Sequence, residues 1–141
     1  LSIPAAERVI GTHNMGNGPD TADVKEMFGA FWSNISRTTS GAKRSQLDQA
    51  RMQLLQQLVA AMLNIQAFGD DGLGTGASLI AAGKAAFLSG PRATILSIAN
   101  QLDAFNQSGS TLPLPPGVTP GPADPQGAQA IANTKFWDTL P

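Results

Sequence analysis

The feature that most constrains this chain is a run of apolar residues at helical spacing between Ser45 and Gly69. Leu47, Leu54, Leu58, Met62 and Ile65 recur along it, Ala50, Leu55 and Ala61 widen the same face, and Gln46, Gln49, Gln53, Gln56 and Gln57 line the rest. Steps of three and four residues stack side chains on one side of an α-helix. Ser45-x-x-Asp48 resembles a capping box with Asp in place of Glu, which sets the start. The helix reaches Phe68, and Gly69 stops it.

A second stripe precedes it. Val24, Met27, Phe28, Phe31, Trp32 and Ile35 follow one another at helical period, which predicts a helix from Pro19 or Asp20. Asp20, Asp23 and Glu26 suit the positive end of its dipole and Arg37 the negative end. Ser36 to Lys43 reads as a loop. Beyond Gly69 a glycine-rich loop leads to an Ala-rich helix over about 77–88. Ser89-Gly90-Pro91 breaks that helix and opens another, marked by Ile95, Ile98, Leu102 and Phe105. These elements predict an all-α fold, a compact bundle of about four helices with little or no sheet.

The ends read differently. Residues 1–18 form an irregular lead, with glycines and asparagines between Gly11 and Gly18 favouring turns. From Ser110 onward Pro113, Pro115, Pro116, Pro120, Pro122 and Pro125 exclude regular helix or central strand. The sequence therefore divides into a helical domain, 1–109, and a proline-rich arm, 110–141. The arm reads as extended, with a short helix over 126–133 and an aromatic tail. Phe136 and Trp137 are costly to leave in water, so the tail either folds back on the chain's own core or anchors in another chain. Pro113, Pro115, Pro116, Phe136 and Trp137 are accordingly the candidate partner-binding residues.

Composition narrows function. Charged residues make up 13% of the 141, about half the usual share of roughly 25%. The surface is therefore covered largely by uncharged polar residues, which suits packing against a neighbour. Nine Lys and Arg against ten Asp and Glu leave no basic stripe for a phosphate backbone, so a nucleic-acid partner is not expected. No apolar run is long enough to span a bilayer. The absence of cysteine excludes disulfides, thiolate zinc sites and thiol nucleophiles. Residue 1 is Leu, which fits a processed or trimmed chain.

Two constellations invite a chemical reading. Asp70, Asp71 and Thr75 lie in the loop Asp70-Asp71-Gly72-Leu73-Gly74-Thr75-Gly76 and offer the hard oxygen ligands that calcium takes, without EF-hand spacing. The alternative is a solvated turn with Asp favouring the start of the next helix. His13 is the single histidine; a catalytic role would need Asp20 or Asp23 beside it, whereas a loop residue making a local contact needs nothing more. No other catalytic set is present, and the chain reads as a non-enzyme.

Leu54-Leu55-Gln56-Gln57-Leu58-Val59-Ala60-Ala61-Met62-Leu63-Asn64-Ile65, together with Leu102-Asp103-Ala104-Phe105-Asn106-Gln107-Ser108-Gly109, resembles an uncharacterised helical module of secreted bacterial surface proteins. Its usual form is L-L-x-x-L-I-A-A-K-L-N-V, so Met62 replaces a Lys. The G-Y-W-K-x-H-P motif that precedes it in that family is represented here by Gly11-Thr12-His13-Asn14 alone. The resemblance covers roughly 19–109 and implies export, with no reaction and no catalytic residues. The expectation is an extracytoplasmic structural subunit whose partners are other protein subunits or copies of itself. A calcium-stabilised extracellular binding module is the alternative.

Overall fold

The protein was described by a computed structural model that covers residues 3–16, 22–118 and 123–141. The axis of the structure is the helix expected from the Ser45–Gly69 pattern, α2, Gln46–Phe68. The Ser45 hydroxyl accepts from the Asp48 amide at 3.0 Å and donates to the Asp48 carboxylate at 2.8 Å, closing the N-terminus. Gly69, at φ +80°, ends the helix in a conformation that a side chain disfavours, and its N–H reaches the Ile65 carbonyl. Met52, Leu54, Leu55, Leu58, Val59 and Ala61 are all fully buried, which is more than one face of a helix. The helix therefore has neighbours on two sides.

On one side lie α3, Thr75–Ser89, and α4, Arg92–Ser108. The Ala-rich segment of the sequence works here through glycine. A Cβ on Gly83 would stand 2.7 Å from Leu58 Cδ2, and one on Gly76 would meet Phe105 and Ile65. Without these side chains α3 settles directly onto α2 and α4. Arg51, buried on α2, donates to the carbonyls of Phe87 and Leu88 at the end of α3 and pairs with Asp48 at 3.1 Å. One guanidinium thus satisfies carbonyls that the helix leaves open.

On the other side lies α1, Ala22–Trp32. The described part of the expected stripe is helical as far as Trp32; Ile35 falls beyond it, and a start at Pro19 or Asp20 lies outside the described residues. Burial differs from the pattern. Trp32 is 38% exposed, whereas Gly29 and Ala30 are buried. The reason is the C-terminal segment. The short α5, Pro125–Ile131, and a 3-10 turn, Thr134–Trp137, lie along α1, and Trp137 fills the space over Gly29. Trp137 is fully buried, its indole N–H donating to the Glu26 carbonyl at 2.9 Å, while the Asn133 amide bonds the Lys25 carbonyl at 2.8 Å.

Trp137, a candidate anchor for another chain in the sequence, is therefore an internal anchor. Of its two possible destinations, the tail takes the chain's own core. Arg44 holds it there by donating to the carbonyls of Asn34, Trp137 and Asp138, and Asp138 accepts from the amide and hydroxyl of Thr39.

The lead is not irregular throughout. After a 3-10 turn at Ala5–Glu7, β1 (Val9–Ile10) pairs antiparallel with β2 (His13–Asn14), Val9 opposite Asn14 and Ile10 opposite His13. Gly11 at φ +61° makes the turn, and its α-carbon lies close to Pro141 and Phe87. The described residues are thus mostly helical, with five α-helices and one small two-stranded sheet. No helix among them is long and apolar enough to cross a membrane.

Candidate interaction groove

α2, α3 and α4 fix a groove at one end of the three helices. The end of α2 supplies Asn64 and Phe68, the α2–α3 loop supplies Asp70 and Asp71, and the end of α4 supplies Phe105 and Asn106. Leu112 and Leu114, on the strap that leaves α4, form the outer wall. The cavity measures about 360 Å³.

Its floor is an amide ladder. Asn64 Nδ2 donates to Asn106 Oδ1 at 3.0 Å, and Asn106 Nδ2 donates to the carbonyl and side chain of Gln57 at 3.1 and 2.9 Å. The ladder joins α2 to α4 across an otherwise apolar contact and fixes the groove's depth. The strap is held by two turns, Leu112 N–H to the Gly109 carbonyl and Val118 N–H to the Pro115 carbonyl, both at 3.0 Å, with Gly117 at φ +82° in the second. Pro113 and Pro116 are exposed and Pro115 half-buried; leucines, rather than prolines, face the groove.

The loop carboxylates, considered for calcium in the sequence, are engaged with backbone amides. Asp70 accepts from the amides of Asp71, Gly76 and Ala77 at 2.8–2.9 Å, and Asp71 Oδ1 accepts from those of Leu73 and Thr75 at 2.9 and 3.1 Å. Both cap the open N-terminus of α3. The Ala77 N–H, foremost among its donors, holds Asp70 below the usual carboxylate range, and the Thr75 hydroxyl does the same for Asp71. Asp70 and Asp71 thus spend several of their lone pairs on the amides and the Thr75 hydroxyl at the start of α3, and keep their negative charge at the loop surface. No group of three or more His, Asp or Glu suited to a metal occurs among the described residues.

His13 lies elsewhere, in the hairpin. Its ring stacks on Trp137 at 4.8 Å and 24° and meets the edge of Phe136 at 5.1 Å and 74°. Burial lowers its pKa from 6.5, opposed by the carbonyls of Phe136 and Thr139. Asp20 lies outside the described residues, as does the side chain of Asp23. A second cavity, of about 500 Å³, separates the start of the chain from α2 and α3, and Lys84 bridges it to Glu7 at 3.3 Å.

Sequence patterns placed Phe68 and Phe105 on helices, but nothing in them marked Asn64, Phe68, Phe105, Asn106, Leu112 or Leu114 as site residues. The available signal was leucine alternating with proline in Leu112-Pro113-Leu114-Pro115, a rigid segment that has no helix in which to hide its apolar side chains. No family model matches the chain, and neither a curated protein nor a solved structure matches it.

Proposed function

We propose that this chain is a structural and interaction subunit of an extracytoplasmic assembly, such as a surface layer, a filament or an envelope complex, and that the groove meets a neighbouring protein. One observation carries this. Phe68, Leu73, Leu112 and Leu114 are 38%, 89%, 53% and 46% exposed at the same end of the bundle. Burial of such a side chain contributes about 1.5–3 kcal/mol, and a gathered apolar patch on a protein surface marks a contact site.

Two features support it further. Only 13% of the residues are charged, so approach of a second protein strips little charge of its water. The placement outside the cytoplasm rests on the resemblance of the Leu54–Ile65 and Leu102–Gly109 segments to secreted surface modules. The non-catalytic reading is supported by the setting of His13, whose ring packs against Trp137 and Phe136.

The test is a photo-crosslinking residue at position 112 in cells that produce the protein, with a second at the exposed Gln101 on α4 as control. A discrete protein adduct from position 112 alone is expected. Equal labelling from both positions, or no adduct, refutes the proposal.

A further inference from the structure

We propose that the neighbour is a second copy of this chain, and that copies join head to tail. The corner between α3 and α4 of one copy, carrying Leu88 and Arg92, docks in the groove of the next. This rests on the groove being the contact surface proposed above.

The two surfaces lie at opposite ends of the same three helices. Arg51, near the start of α2, bonds carbonyls at the end of α3, so these two run antiparallel. Asn64, near the end of α2, bonds Asn106, near the end of α4, so those two run parallel. The end of α2, the start of α3 and the end of α4 therefore share the groove end. The end of α3 and the start of α4 form the corner at the far end.

The surfaces are complementary. The groove has apolar walls, two ionised carboxylates at its rim and no Lys or Arg in its lining. The corner has the reverse pattern: Leu88 is 49% exposed, Arg92 is exposed, and Gly90 and Pro91 hold the turn between them. Among the described residues nothing hydrogen-bonds or ion-pairs with Arg92. Asp48, the carboxylate at that end of α2, is already engaged by Arg51 and Ser45. A cavity of about 360 Å³ falls within the size range of ligand sites, with room for a leucine side chain and a neighbouring guanidinium.

Charge also selects the pairing. Groove against groove would set Asp70 and Asp71 of two copies face to face, and corner against corner would oppose two Arg92 side chains. Groove against corner alone joins opposite charges. Such a contact leaves one free groove and one free corner on every pair, so it propagates instead of closing at two.

The experiment is native mass by light scattering on the full chain and two variants. Leu88→Ser with Arg92→Glu disables the corner; Leu114→Arg disables the groove by removing a wall and adding a cation. All three positions are exposed, and circular dichroism melts check that both variants stay folded. The wild type is expected to grow with concentration past a dimer. Each variant alone is expected to stay monomeric, with association weakened roughly tenfold or more, the scale of one leucine's burial. An equimolar mixture of the two is expected to stop at a dimer, because the mixture holds one intact groove and one intact corner per pair. A wild type that remains monomeric, variants that assemble as it does, or a mixture that stays monomeric overturns the proposal. A crosslink from position 112 to a different protein, with a monomeric wild type, overturns the self-association while leaving the interaction role standing.

Discussion

Replacing Trp137 with Ala tests whether the C-terminal segment is part of the core. The indole is fully buried, stacks on His13, meets Phe136 edge-on at 4.9 Å and donates to the Glu26 carbonyl at 2.9 Å. Truncating a buried Trp costs about 3–5 kcal/mol through lost transfer energy and the cavity left behind. For a chain of this length each kcal/mol lowers the melting temperature by about 3 °C, so the expected loss is about 9–15 °C. Trp137→Phe separates the contributions. It keeps most of the ring but loses the donor, whose net worth is about 0.5–1.5 kcal/mol, so its midpoint falls by less than half as much. The assay is thermal unfolding followed by circular dichroism, with urea titration as a second measure. A Trp137→Ala midpoint within about 3 °C of wild type would refute the packing argument, because a side chain worth less than about 1 kcal/mol is not buried against α1.

Further outcomes follow from other contacts. Gly29→Ala is expected to destabilise by about 1–3 kcal/mol in the same melt, although alanine favours helix, because its Cβ would run into the Asn133 carbonyl. Because burial lowers the His13 pKa, the folded chain binds that proton less readily than the unfolded one; stability is complete above pH 6.5 and declines as the pH falls below it, and His13→Phe flattens that part of a stability–pH curve. Asp70→Ala removes a cap from α3 and is expected to cost about 1 kcal/mol, read from its melting midpoint. Adding calcium or a chelator leaves the wild-type midpoint unchanged, since Asp70 and Asp71 are bound to amides; a rise of several degrees with calcium would overturn that assignment.

Local patterns in the sequence carried the helices well. The steps from Leu47 to Ile65, with Ser45 and Gly69 at the ends, located α2 almost to the residue, because caps and periodicity are properties of neighbouring residues. Contacts across long separations were not legible in the same way. Trp32 and Trp137 are the same residue type, and nothing local says that Trp137, more than a hundred residues away, takes the inner place over α1. The hairpin was hidden by its brevity: two residues per strand give no alternation to read, and Gly11 signals a turn without saying what flanks it. The aspartates of the α2–α3 loop suited either a cation or a helix cap in composition, and the cap became visible only in the direction of the amides. The groove was the least legible feature, since it arises from three separate segments, none unusual on its own.

The covering of α1 by Trp137 has a consequence for how the protein is made. The Trp137–Glu26 bond spans 111 residues. At synthesis rates of about 5–20 residues per second, α1 waits roughly 6–22 s on a growing chain before its cover emerges. During that interval α2, α3 and α4 have already left the ribosome and are free to assemble, while Gly29 and Ala30 remain open to water. The biosynthetic order thus divides the molecule into an early half that can close by itself and a late closure that joins its two ends. It is in that late window that the nascent chain is most exposed to chaperones and to misassociation.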